Sequence, residues 1–335
     1  MQAQRGPAIK SLRRAPIPAE ALLLLTAMVW GVAFVAQRAG MAYLGPFTFN
    51  GLRFALGALA VTPLARREVS PREHASRAAT APRIAFTGAA LFLGASCQQA
   101  GLVYTSAGKA GFITGLYVVL VPLMGVLLTQ TIGLLTWCGA LLAAAGLYLL
   151  SVTESFHVAP GDGLVFLGAI FWAIHVHAVG RYAPAIGPLR LARWQFTLCA
   201  AASLAVAAVT ETPTASAIGF AAIPLLYAGI VSVGLGYTLQ VVAQQRSAPS
   251  RAAIILSLES VFASAGGVLV LGESLSVREI VGCATMLAGM LCAQIPPRHR
   301  GRHPLGDKST GEEAREAQSA QSGSLPLRRG GRTLP

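Results

Sequence analysis

The chain has 335 residues, 54% of them apolar and only 12% charged, about half the charge expected of a soluble globular domain. Its formal charge of +13 comes from 26 Lys and Arg against 13 Asp and Glu, most of them in short connections and at the two ends. The apolar residues run in long uncharged blocks, and no folded domain remains outside them to carry a basic nucleic-acid face. A soluble protein is excluded.

A helix needs about 20 largely apolar residues to cross a bilayer. Ten stretches qualify in chain order: 21–38, 45–65, 84–104, 110–129, 132–151, 162–180, 190–209, 218–240, 251–271 and 278–295. They are separated by Gly45-Pro46, the charged stretch from Arg66 to Arg83, Ala159-Pro160-Gly161, Gly187-Pro188, Thr212-Pro213 and Pro249. The first block follows Arg5, Lys10, Arg13 and Arg14 but has no small-x-small cleavage site, so it reads as a mature helix. Residues 1–20 form a basic N-terminus. Residues 296–335 are rich in Arg, Gly, Ser and Glu without apolar periodicity, and read as a disordered basic tail.

The connections orient the chain. Placing the N-terminus in the cytoplasm puts 21 Lys and Arg on that side and only Arg38, Lys109 and Arg278 on the other. Both termini are therefore expected to be cytoplasmic. The five cysteines (Cys97, Cys138, Cys199, Cys283, Cys292) all lie inside apolar blocks with no CxxC spacing. They read as small buried residues, with no disulfide framework or metal site implied.

The chain also repeats itself. Trp30 and Trp172, Gly45-Pro46 and Gly187-Pro188, and Phe54 and Phe196 stand 142 residues apart. Gln99 and Gln240, and Ser106-Ala107 and Ser247-Ala248, are offset by 141, while Gly139 and Gly146 match Gly282 and Gly289 at 143. Each copy holds five spans, an odd number, so the second must enter the membrane from the opposite side. Inverted repeats of this kind are the physical basis of alternating access.

The stretch Val270-Leu-Gly-Glu-Ser-Leu-Ser-Val-Arg-Glu-Ile-Val-Gly-Cys-Ala-Thr-Met-Leu-Ala-Gly289 resembles the closing segment of an EamA repeat. Trp30-Gly31, Arg53-Phe54 and Tyr104-Thr-Ser-Ala107 resemble other parts of the same repeat. The resemblance covers residues 20–295 and points to the drug/metabolite transporter superfamily. It implies an all-α integral membrane fold of ten transmembrane helices in two inverted five-helix EamA repeats, 21–151 and 162–295. It also implies alternating-access movement of small metabolites, often outward. Two departures stand out: Leu258-Glu259-Ser260 lacks the proline usual after the Glu, and Gln130 stands where the second repeat has Glu273.

Glu259 lies within span nine, where a carboxylate near mid-membrane costs roughly 2.5–3.5 kcal/mol. It is a candidate substrate-amine ligand or coupling-proton site, and equally a structural carboxyl. Arg53, eight residues into span two, could bind a substrate carboxylate or pair with carbonyls at the span's end. Lys109 and Arg193 read as interfacial. Thr26, Trp30, Ala33 and Gln37 form one stripe, and the 142 offset carries Trp30 to Trp172 and Ala33 to His175. His175 and His177 point about 200° apart on a helix, which argues against chelation from one face. Ser96 and Gln99 map onto Tyr237 and Gln240, and Thr114 and Tyr117 complete the candidate lining. Gly111-x-x-x-Gly115 reads as a close-packing site.

The expected function is a secondary transporter, of the exporter type, for small organic metabolites such as amino acids or amphipathic compounds. A coupling proton is admitted, no cofactor is implied, and a homodimer is left open. The alternatives are an intramembrane enzyme and a non-transporting structural or regulatory subunit. The chain contains no GxxxxGK[ST], HExxH or GxSxG motif. With 23 Arg against 3 Lys and many alanines, a GC-rich bacterial coding sequence and the bacterial inner membrane are expected.

Overall fold

The computed structural model describes residues 17–68, 77–105, 107–152, 159–271 and 275–295. The basic N-terminus to residue 16, Ser106, Glu273 and the tail 296–335 lie outside the described residues. Those described are helical, without a strand among them. In order they form α1 (Ala19–Gly40), α2 (Pro46–Arg67), α3 (Arg77–Gly101), α4 (Ala107–Gly115), α5 (Tyr117–Leu127), α6 (Leu134–Ser151), α7 (Asp162–Ile186) and α8 (Pro188–Thr210). Then come α9 (Ala215–Phe220), α10 (Ala222–Leu226), a π-helical stretch (Tyr227–Tyr237), α11 (Thr238–Ala243), α12 (Pro249–Leu256), α13 (Glu259–Leu271) and α14 (Val277–Gln294).

Seven stretches among the described residues are long and apolar enough to cross a membrane: Ala19–Gly40, Lys109–Leu127, Leu134–Ser151, Asp162–Ile186, Pro188–Thr210, Ala222–Ala243 and Val277–Gln294. The outer surface agrees. Leu59, Leu127, Leu134, Val209, Ile223 and Val277 are 69% to 83% exposed, a cost in water and none in lipid. Polar side chains go inward instead: Gln37, Asn50, Arg53, Gln98, Gln195 and Gln240 are all buried. This is a multi-pass membrane protein.

Helices at matching positions of the two repeats pack against each other antiparallel. A methyl group at Gly139 would lie 2.6 Å from the Gly289 carbonyl oxygen, and one at Gly289 would lie 2.7 Å from that of Gly139. Gly146 and Gly282 meet in the same reciprocal way, at 2.6 and 2.7 Å. Because 139 corresponds to 282 and 146 to 289, the contact maps onto itself when the repeats are exchanged. The seam between α6 and α14 therefore has two-fold symmetry, with backbones too close for any side chain.

The α2–α8 pair shows the same reciprocity with charge. Pro46 and Pro188 open these helices, where a missing N–H costs nothing. The next N–H groups have no partner within their own helix. Glu211, just past the end of α8, accepts from the amides of Phe47 (2.9 Å) and Thr48 (2.8 Å). Glu68, just past the end of α2, accepts from those of Leu189 (3.1 Å) and Arg190 (2.8 Å). Each helix thus ends in a carboxylate placed on the positive end of its partner.

Three predicted spans are not continuous helices. Span four breaks at Leu116 between α4 and α5, and span nine breaks at Ser257-Leu258 between α12 and α13. Both breaks contain tightened turns, Leu116 N–H to the Ile113 carbonyl (3.3 Å) and Leu258 N–H to that of Ile255 (3.1 Å), and they lie 142 residues apart. The break in span nine needs no proline. Span eight is divided into α9, α10, the π-helical stretch and α11, whose wider turns leave carbonyls for α1. Trp30 Nε1 donates to Ser232 O (3.3 Å) and Thr26 Oγ1 to Gly236 O (3.2 Å).

Of the expected glycine pair on α4, Gly115 packs against Leu147 while Gly111 meets nothing within 4 Å. Spacing alone does not say which face of a helix is covered. Gly146→Val should therefore cost about 1–3 kcal/mol by forcing α6 off α14. Gly111→Ala should be neutral or mildly stabilising through helix propensity. Thermal unfolding of both variants in one detergent checks the contrast, and equal losses would contradict the close seam.

Candidate substrate cavity

The two helix breaks meet the other polar elements around a partly open cavity of about 40 Å³. Glu259 is the first residue of α13 and Tyr117 the first of α5, so each stands at the free amide end of a half-helix. That position favours negative charge, which offsets part of the cost of burying Glu259. At Gly31 a methyl group would sit 2.7 Å from the Glu259 carbonyl oxygen and 2.8 Å from the Ala263 nitrogen. Only glycine lets α1 press this closely on the broken helix.

Arg53 enters from α2, 2% exposed, with Nε donating to Asn50 Oδ1 at 2.9 Å. Asn50 is itself held by its Nδ2 on the Ala95 carbonyl (3.1 Å). The guanidinium lies 4.9 Å from the Phe54 ring centroid and 5.9 Å from that of Phe49. Arg53 and Glu259 both line the cavity, yet they form no ion pair among the described residues. Trp172 donates from Nε1 to Gln98 Oε1 (2.8 Å), and Gln98 reaches Gln37 (3.4 Å), tying α7 to α3 and α1.

Tyr237 is the hub of the aromatic lining. Its ring centroid lies 4.5 Å from Trp30 and 5.8 Å from Trp172, and 6.0 and 6.1 Å from Phe54 and Phe196. These are the Trp and Phe pairs of the 142-residue repeat. A bulky ring between two such pairs can come from one repeat only, and the first repeat has Ala95-Ser96 at the corresponding place.

Eight of the ten residues expected at the site line this cavity: Glu259, Arg53, Trp30, Trp172, Tyr237, Gln240, Tyr117 and Thr114. His175 and Gln99 do not. His175 is fully buried, its Nε2 2.9 Å from Gln195 Oε1 on α8, with Trp172 and Tyr237 at its edges. On α7 the cavity face is Trp172 and Val176, four residues apart, which turns His175 toward α8. Gln99 is fully buried with no partner for either amide atom among the described residues, while its neighbour Gln98 lines the cavity. A repeat offset locates a helix turn; it does not distinguish positions 100° apart on it. Gln37 and Ser232 also line the cavity. Gln37 was legible at the end of the Trp30 stripe, whereas Ser232 depends on the π-helical stretch and carries no sequence signal.

Other predicted polar residues lie elsewhere. Lys109 is not merely interfacial, since its Nζ is 2.9 Å from Asp162 Oδ2. His177 Nε2 lies 2.8 Å from the Val121 carbonyl and shares a separate cleft of about 490 Å³ with Gln130 and Arg181. Arg193 lies 4.9 Å from the Trp194 ring centroid.

The sequence profile of the EamA-like transporter family matches residues 17–152 and 159–294, the two repeats found here. The chain belongs to that family. An uncharacterized transporter from Archaeoglobus fulgidus is 31% identical over 278 residues, covering 82% of this chain and 84% of its own. A chloroplastic WAT1-related protein from Arabidopsis thaliana is 25% identical over 281 residues, 80% of this chain and 67% of its own. A solved crystal structure 19% identical superposes with a TM-score of 0.71 over 82% of this chain and 96% of that one, which establishes the fold.

Within this EamA protein the Tyr237 hub makes a direct prediction. Tyr237→Ala removes a ring packed between both repeats and should cost about 3–5 kcal/mol. Tyr237→Phe keeps the ring, so its unfolding midpoint in detergent should stay close to wild type. An equal loss from both would mean that the hydroxyl, not the ring, is what matters.

Proposed function

We propose that this EamA protein is a secondary transporter that moves small organic solutes by alternating access through the cavity between Arg53 and Glu259. The observation carrying this is that Arg53 and Glu259, both buried, line one cavity without pairing among the described residues. Among the described residues Thr114 Oγ1, Tyr117 OH and Gln240 Oε1 have no hydrogen-bond partner, and all three residues line the cavity. Buried groups left unpaired cost about 1–3 kcal/mol each, a cost that a ligand or water in the cavity would relieve; unpaired groups elsewhere in the core, such as those of Gln99 and Ser203, lie outside it. A carboxylate and a guanidinium that share a cavity without pairing complement the ammonium and carboxylate of an amino acid or similar amphipathic metabolite.

About 40 Å³ holds only about three water molecules on the usual scale. The site must widen to admit such a solute, and the antiparallel repeats support a two-fold exchange of conformations as the way it does so. The transporter descriptions of the relatives favour this over an intramembrane enzyme or a structural subunit. The proposed topology is ten crossings with both termini in the cytoplasm of a bacterial cell. Reporter fusions after Glu68 and Lys308 should read cytoplasmic, and one after Glu154 external. An external reading at Lys308 would break the ten-span count.

Flux of labelled amino acids into liposomes containing the purified protein tests the function. Glu259→Gln keeps the size and hydrogen-bonding capacity of the side chain, so the variant should insert and fold. Its flux should fall at least about tenfold, the loss of ~1.4 kcal/mol of interaction. Unchanged flux per folded molecule would remove Glu259 from the site.

A further inference from the structure

We propose that Lys109–Asp162 and Arg251–Glu20 are two gates at opposite ends of the bundle, related by the repeat and closed one at a time. This rests on the alternating-access reading above and identifies the residues that hold each end shut.

The Asp162 site is fully formed. Its carboxylate accepts from Thr105 Oγ1 (2.7 Å), Lys109 Nζ (2.9 Å) and the Ala159 amide (2.7 Å). It thereby joins the start of α4 in the first repeat to the start of α7 in the second. The same end is tied by Arg38, whose Nη1 donates to the Leu102 carbonyl at 2.7 Å. Lys109 stands five and eight residues before Thr114 and Tyr117 of the cavity, and Asp162 ten before Trp172. At 1.5 Å per residue, the pair lies roughly 7–15 Å beyond the cavity toward that end.

The repeat offset of 142 carries Lys109 to Arg251 and Asp162 to Glu20. The sign of each charge is kept. So is the placement, because Arg251 stands five and eight residues before Leu256 and Glu259, and Glu20 ten before Trp30, all cavity residues. Arg251 lies near the start of α12, which touches the far part of α7 through Pro249 and Gly180. That is the end of α7 opposite Asp162. Yet Glu20 is exposed, and among the described residues it forms no ion pair with Arg251. Two copies of one charge pair are in different states in the same molecule. A pair that must break for its end to open would be formed at one end at a time, as these two are.

Hydrogen exchange on the full chain in lipid nanodiscs tests this without any substrate. Asp162→Asn should speed exchange about tenfold across 107–115 and 162–168, the effect of losing a charge-assisted bond. It should also slow exchange across 19–26 and 249–256, because opening one end lets the other close. Glu20→Gln should leave the Asp162 end protected. Lys109→Met, which leaves Asp162 its bonds from Thr105 and the Ala159 amide, should give the same opposed pattern, which covers the case of a poorly folding Asp162 variant. Faster exchange confined to the Asp162 end, or faster exchange at both ends, would overturn the proposal. Opposed changes in a protein without amino-acid flux would uphold the gates and reject the substrate reading instead.

Discussion

The structure depends on how closely two copies of one helical unit can approach each other in antiparallel orientation. In lipid there is little hydrophobic force between apolar helices, so contact must come from close packing and hydrogen bonds. The α6–α14 seam meets this with four glycines in two reciprocal pairs, whose carbonyls stand where side chains would be. The α2–α8 pair meets it with Glu68 and Glu211, each saturating the first free amides of the other helix. Both solutions require the repeats to be present together, since each half supplies what the other lacks.

That symmetry also dictates where the repeats must differ. A place where two equivalent surfaces meet accepts one bulky side chain, and Tyr237 occupies it between the Trp30–Trp172 and Phe54–Phe196 pairs. The two helix breaks are equivalent in position but not in content. One starts its half-helix with Tyr117 and the other with Glu259, so the cavity between identical frames is chemically lopsided. A symmetric scaffold thus holds an asymmetric polar site.

Polar groups are distributed by the same logic. A backbone or side-chain donor away from water is stabilised by an acceptor inside the protein. The π-helical stretch does this for Trp30 and Thr26 by turning the carbonyls of Ser232 and Gly236 toward α1. Gln98 does it for Trp172. Of the buried polar groups left without a partner among the described residues, those of Thr114, Tyr117 and Gln240 face the common cavity, while others, on Gln99, Ser203 and Ser250 among them, lie elsewhere in the core.

Much was determined by the sequence alone. Apolar run length gave the membrane class, because crossing a bilayer demands a length that soluble cores do not. The repeat offset pointed to Trp30 and Trp172, 142 residues apart, and both reach the cavity; Tyr237 and Gln240 line it although their counterparts at an offset of 141, Ser96 and Gln99, do not. Glu259 was conspicuous through its desolvation cost. What only the tertiary structure decided is which side of a helix each residue presents, since that depends on the neighbour packed there. It turned His175 toward Gln195 and put Gln98 in the lining instead of Gln99. It brought Ser232 to the site through a π-helical stretch that the sequence pattern does not announce. It also paired Lys109 with Asp162 and left Glu20 unpaired with Arg251. The charges are written into both repeats, but which pair is closed is a property of the conformation.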